Sequence, residues 1–163
     1  MIDGVYRVTE NGEHEVRFDR RYDQPVAKVW AAFVDPVVLA NWLGDVEVDP
    51  REGGKYVIHF RNMSTVMTGV ITQFEPPRVL AYAWLENYGM PQSHIRWELL
   101  VEGAGCRLLL THVYPPNCER KDVIPFLGGW HAFLDAIGRA SAGEFVPYQD
   151  EKPIDAQYRA KYA

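Results

Sequence analysis

From residue 46 to 114 the chain reads as six strands in close succession, and this run restricts the fold more than any other feature. Apolar side chains recur at every second position in "GKYVIHF" (Tyr56, Ile58, Phe60), "RVLAYAWLE" (Leu80, Tyr82, Trp84), "SHIRWELLVE" (Ile95, Trp97, Leu99, Val101) and "CRLLLTHV" (Leu108, Leu110, His112), with "VEVD" and "STVMTGVITQF" completing the set. A period of two sends alternate side chains to opposite faces of a strand. The breaks between these segments, such as "PREGG", Pro76 with Pro77, and "GAG" at 103–105, leave no room for helical crossovers. Strands joined so directly run antiparallel, with one face covered and the other in water.

Something must lie on the covered face. In "PFLGGWHAFLDAIGRASAGE" (125–144) and the residues just before it, Val123, Leu127, Trp130, Leu134 and Ile137 share one arc at about 100° per residue, with Phe126 and Phe133 on its shoulder. The spacing predicts a long helix lying on the sheet. Gly128 and Gly129, poor helix formers, stand just before Trp130 and suggest a hinge at one end of this cover. Gly129, Ala132, Ala136 and Ala140 form a face of small residues. It could admit a second backbone, but alanine is also the best helix former on an exposed face, and the sequence favours that plainer reading.

Ahead of the run, "HEVRFDRRY" (14–22) alternates Val16, Phe18, Arg20 and Tyr22 on one face of a strand. Two short helices follow. "DQPVAKVWAAFV" carries Val26, Val29, Trp30 and Phe33 on one stripe, and "DPVVLANWLG" has Asp35 as cap, Pro36 as first residue, Leu39, Trp42 and Leu43 as stripe and Gly44 as stop. Residues 1–145 make one domain of the size expected for 163 residues. The polar tail 146–163, with scattered tyrosines, is expected to be loosely attached.

Charge and composition exclude several classes. A net charge of −5 with no basic stripe argues against nucleic acid. No run approaches the ~18 apolar residues of a membrane span, and "MIDGVYRVTENGEHEV" lacks the pattern of a signal peptide, so a cytoplasmic location is expected. Cys106 and Cys118 have neither zinc-ligand nor disulfide-framework spacing and read as reduced structural thiols. Asp45, Glu47 and Asp49 alternate on a solvent face rather than forming a metal cage, "GGK" at 53–55 is a strand-opening turn rather than a phosphate loop, and "NMS" at Asn62 is a chance glycosylation match. No cofactor or metal is expected.

The order strand, two short helices, six strands, long helix resembles the α+β helix-grip fold. "RRYDQPVAKVWAAFVDPVVLANWLG", "GGKYVIHF", "GVITQFEPPRVLAYAWLE", "CRLLLTHV" and "GGWHAFLDAI" are similar to homologues of the activator of the heat-shock-protein-90 ATPase, within the SRPBCC/START-like superfamily that also contains lipid-transfer domains and the birch pollen allergen. The likeness covers about residues 14–144. It implies a curved antiparallel sheet of about seven strands around a C-terminal helix, with a hydrophobic cavity between them. It implies no single function, since such a fold hosts carriers, cyclases and protein-binding modules. Two loops without a match, "NYGMPQ" (87–92) and "YPPNCERK" (114–121), are where ligand choice is expected to be set.

The alternation aims Tyr56, Phe60, Tyr82, Trp84 and Trp97 at the cavity, with Leu110 and His112 from the last strand and Leu127, Trp130 and Leu134 from the helix. Each is also a natural core residue; only the set, on this fold, favours a pocket. Its central requirement is a void among Trp84, Trp97 and Trp130. His112 could move protons, or be a core histidine satisfied by tyrosine or backbone. Arg20, on an apolar face, must meet a carboxylate or an anionic ligand, or reach water along its stem. Ser64, Ser93 and Thr111 have no histidine at a suggestive spacing.

Three functions follow. The leading one is non-enzymatic binding of a small apolar or aromatic molecule. The alternative is a cyclase- or hydrolase-like enzyme using His112 and a cavity tyrosine such as Tyr82. The last is a chaperone-associated protein-binding module. The sequence leaves a homodimer open.

Overall fold

The computed structural model describes residues 1–85 and 89–163. Its elements are β1 (Val5–Val8), β2 (His14–Tyr22), α1 (Val26–Val34), α2 (Pro36–Leu39), β3 (Gly44–Val48), β4 (Lys55–Phe60), β5 (Val66–Glu75), β6 (Val79–Trp84), β7 (Ser93–Glu102), β8 (Gly105–Tyr114), α3 (Arg120–Val123), α4 (Pro125–Ser141) and α5 (Lys152–Tyr162). The eight strands form one antiparallel sheet in the order β1-β2-β8-β7-β6-β5-β4-β3. Helices α1 and α2 carry the chain from β2 to the opposite edge, and α4 lies across the inner face. This is the helix-grip architecture.

The strand count is eight rather than about seven because β1 pairs with β2, from Val5 opposite Arg17 to Val8 opposite His14. Only Tyr6 of its four residues is buried, too few for alternation to be visible. The tandem helices form as expected, with Asp35 Oδ1 accepting from the Val37 amide at 3.0 Å. Gly44 is required where α2 gives way to β3: its φ is +150°, and a Cβ there would lie 2.1 Å from the His59 carbonyl oxygen.

The core is built where α1 meets α4 and the sheet. Phe33 stacks on Trp97 at 4.7 Å and Tyr56 on Tyr82 at 4.5 Å. Each polar atom of this layer is satisfied internally: Tyr56 Oη donates to the Phe33 carbonyl (2.6 Å), and Trp97 Nε1 donates to Tyr82 Oη (3.3 Å). Burying such rings contributes about 1.5–3 kcal/mol each. The long helix is continuous through the glycine pair. The interruption nearest the expected hinge lies at Ile124, between α3 and α4 and just before Pro125, whose missing N–H makes it a natural first residue of α4.

Residues 146–163 are not loosely attached. Ile154, Tyr158 and Tyr162, four apart, give α5 a narrow apolar stripe that packs on the core, and Tyr158 is fully buried. A second backbone does come close to α4, but at Gly128 rather than at Gly129 of the small-residue face: a Cβ on Gly128 would lie 3.1 Å from Asp155 Cα, while one on Gly129 would meet only the Glu151 side chain, at 3.8 Å. Gly4 N–H donates to Tyr158 Oη (2.9 Å), which leaves the phenol hydrogen for His131 Nδ1 (2.8 Å). Burial, and then the Arg20 charge, hold His131 below its ordinary pKa, as an acceptor at Nδ1 requires. Arg20 meets carboxylates, as one reading required: Asp3 at 2.9 Å and Asp135 at 2.6 Å.

Tyr158→Phe keeps the packing but strips partners from a buried amide and a buried imidazole. Urea unfolding should show a loss of about 1–3 kcal/mol; a loss under ~0.5 kcal/mol would mean that the phenol does not hold α5 in place.

Candidate functional site

A cavity of about 310 Å³ opens between the first turns of α4 and the sheet ends nearest them. Helix α4 contributes Phe126, Gly129, Trp130 and Phe133, while Phe60, Met67, Trp84, Ser93, His112 and Tyr114 come from five strands. Met63 and Met90 stand at loops on its rim, and Glu151 reaches it from the residue before α5. The volume is at the low end of ligand sites.

Phe60, Trp84, His112 and Trp130 therefore line the cavity as the sequence suggested. Tyr56, Tyr82, Trp97, Leu110, Leu127 and Leu134 do not, since α1 and α4 fill the space over them and they form the closed core. The three tryptophans do not enclose a void. Trp130 meets Trp97 edge-on at 5.4 Å and Trp84 at 6.0 Å, and the cavity lies to one side. Of the two loops expected to set ligand choice, Met90 and Pro91 reach the cavity, and so does Tyr114 at the start of the second. Asn87 and Tyr88 lie outside the described residues.

His112 is fully buried and ringed by aromatics: Trp84 and Tyr114 stack on it at 5.3 and 4.1 Å, and Phe126 meets it edge-on at 5.7 Å. Its polar partners determine its state. The Trp130 indole, a pure donor, points at Nδ1 from 3.0 Å, with Tyr114 Oη at 2.9 Å from the same atom. Nδ1 must therefore be an unprotonated acceptor, and the ring hydrogen sits on Nε2. Burial pushes the imidazole pKa well below its ordinary value, so the ring is neutral.

Ser93 Oγ lies 2.8 Å from His112 Nε2. This serine–histidine pair escaped sequence reasoning because the residues sit on adjacent strands, nineteen positions apart. It is not an activated nucleophile. Nε2–H donates to Ser93 and has no lone pair with which to take the serine proton. The hydroxyl's own hydrogen is left without an acceptor among the described residues, on a side chain that lines the cavity. The proposed partner of His112 in catalysis, Tyr82, is elsewhere, stacked on Tyr56 with its hydroxyl accepting from Trp97.

Two further features of the wall were missed. The Trp84 indole N–H is buried without an acceptor among the described residues. Glu151, from a segment read as tail, is the one charged side chain among the described lining residues. Among the described residues no cluster of three or more His, Cys, Asp or Glu could hold a metal ion, and no helix is long and apolar enough to cross a membrane.

An open, curved antiparallel sheet closed by a C-terminal helix, with an aromatic cavity beneath that helix, defines a helix-grip protein of the hydrophobic-ligand-binding kind. The family follows from comparison: a profile described as "Activator of Hsp90 ATPase homolog 1-like protein" matches residues 23–141, and the chain belongs to this family. Among solved structures it is similar to CalU16 from Micromonospora echinospora, at 26% identity over 98% of this chain and 94% of that one, with a TM-score of 0.76. It is also similar to the protein encoded by gene BPP1335 of Bordetella parapertussis, at 26% identity over 98% and 88% of the two chains, with a TM-score of 0.71. DynU16, described as belonging to the dynemicin biosynthetic locus, shares the fold at 22% identity and a TM-score of 0.72, over 82% of this chain and 49% of that one. No curated protein matches.

Proposed function

We propose that the chain binds one small, largely apolar or aromatic molecule carrying a hydrogen-bond acceptor, and that it holds this molecule without transforming it. The observation that carries this reading is the wall itself. Trp84, Phe126, Trp130 and Phe133 offer flat apolar faces, and the Ser93 hydroxyl hydrogen and the Trp84 indole N–H are donors among them without an acceptor in the described residues. A ligand acceptor beside the Ser93 hydroxyl would satisfy a donor that has no acceptor among the described residues. The enzymatic alternative lacks support in the geometry, because His112 has spent its lone pair on Trp130 and Tyr114 and its hydrogen on Ser93.

Native mass spectrometry of protein purified without detergent should show a retained mass of a few hundred daltons. Titration with 2-acetylnaphthalene and 2-ethylnaphthalene, followed by quenching of Trp84 and Trp130 fluorescence, tests the detail. Ser93→Ala should weaken the acetyl compound by about three- to tenfold, the worth of one hydrogen bond, and leave the ethyl compound unchanged. Equal affinities of both compounds for both proteins would remove the role given to Ser93.

A further inference from the structure

Resting on that reading, we propose that the cavity selects apolar ligands bearing a cationic amine, and that Glu151 is the residue that selects them. Glu151 lines both the cavity and the groove between α4 and α5. Its Oε2 hangs 3.8 Å from where a Cβ on Gly129 would stand, so the carboxylate sits over the helix position that is bare of a side chain. Among the described residues that line the cavity no lysine or arginine is present to answer it.

The surroundings sharpen this imbalance. Asp150 and Asp155 act on Glu151 with like charge; Arg139, which lines the same groove, is paired with Glu144 at 3.1 Å, and Arg159 is engaged by Asp155 Oδ2 at 2.6 Å. Asp155 Oδ1 is buried without a partner among the described residues. A glutamate just before a helix would ordinarily be eased toward ionisation by the helix N-terminus. Here the pKa moves the other way, raised first by burial and then by Asp155 and Asp150. An ammonium group would relieve that repulsion, while the faces of Trp130 and Phe133 nearby suit a cation attached to an aromatic body. An anionic ligand would add a further like charge at the same rim.

Three probes of one shape separate the possibilities: 2-(2-naphthyl)ethylamine, cationic at pH 7; 2-(2-naphthyl)ethanol, neutral; and 2-naphthylacetate, anionic. In the native protein the amine should bind about tenfold more tightly than the alcohol, and the acid more weakly than either. Glu151→Gln, which keeps the shape, should bring the amine to within about threefold of the alcohol and leave the alcohol unchanged, and Glu151→Ala should do the same. Unchanged thermal midpoints would show that neither variant disturbs α5. If the alcohol binds but the amine's advantage is absent, or survives in both variants, the charge selection is overturned and the cavity reading stands. If none of the three binds, the cavity reading itself falls.

Discussion

As the pH falls below 6.5 the native protein should lose stability through His112, by on the order of 1 kcal/mol per pH unit. His112 is fully buried, and its pKa lies well below the ordinary 6.5. In the unfolded chain the ring takes up a proton near 6.5; in the folded protein it does not. The unfolded state therefore binds more protons in this range, and stability rises with pH. The contribution is fully present above 6.5 and is lost as the pH falls toward the folded-state pKa. His131 and His94, both also depressed, act in the same direction. His112→Gln isolates the first effect: an amide can accept from Trp130 and donate to Ser93, but it does not titrate. Its plot of unfolding free energy against pH should be flatter by one proton. Parallel plots for the two proteins would show that His112 is protonated in the native state, and would undo the assignment of its tautomer.

The second large effect separates the two glycines. Gly129→Leu should place four carbon atoms in the 310 Å³ cavity and weaken a neutral naphthalene probe by at least about tenfold. Stability should hold or rise by up to ~1 kcal/mol, because a strong helix former replaces glycine and the space ahead of its Cβ holds nothing nearer than Glu151 at 3.8 Å. Gly128→Leu should do the opposite, pressing on the Asp155 backbone at 3.1 Å and costing about 1–3 kcal/mol. Fluorescence titration and urea unfolding of both variants decide the matter. Native affinity in Gly129→Leu would place the ligand elsewhere. No measured loss of stability in Gly128→Leu would show that α5 can yield at that point.

Much of the fold was legible because alternation survives wherever a strand has one buried face. The inward set of β7 and β8, from Ile95 and Trp97 to Leu108, Leu110 and His112, is buried as that pattern dictates. The pattern says which side of a strand a residue takes, but not what lies above it. Leu110 and His112 share a face two positions apart, yet α4 and the core cover the first and only the second borders the cavity. Tyr56, Tyr82 and Trp97 were misplaced for the same reason, since Phe33 of α1 fills the space over Trp97. Ser93 and Glu151 were invisible because their roles arise from pairing across strands and from the packing of α5. The signal for α5 was present in Pro153 and the four-residue spacing of Ile154, Tyr158 and Tyr162, but a stripe that narrow is easily taken for scattered tyrosines.

The bond between Gly4 and Tyr158 joins positions 154 apart, closing nearly the whole polypeptide into a ring. Such a closure brings no reward until the strands and α4 between its ends have assembled, whereas the β7–β8 hairpin can zip up on local contacts. The clasp between Gly4 and α5 is thus expected to form after those elements and to open before them, which hydrogen exchange of the Gly4 amide would check. Glu151 rides on that clasp, so a partial opening would alter what the pocket prefers well before the pocket itself is lost.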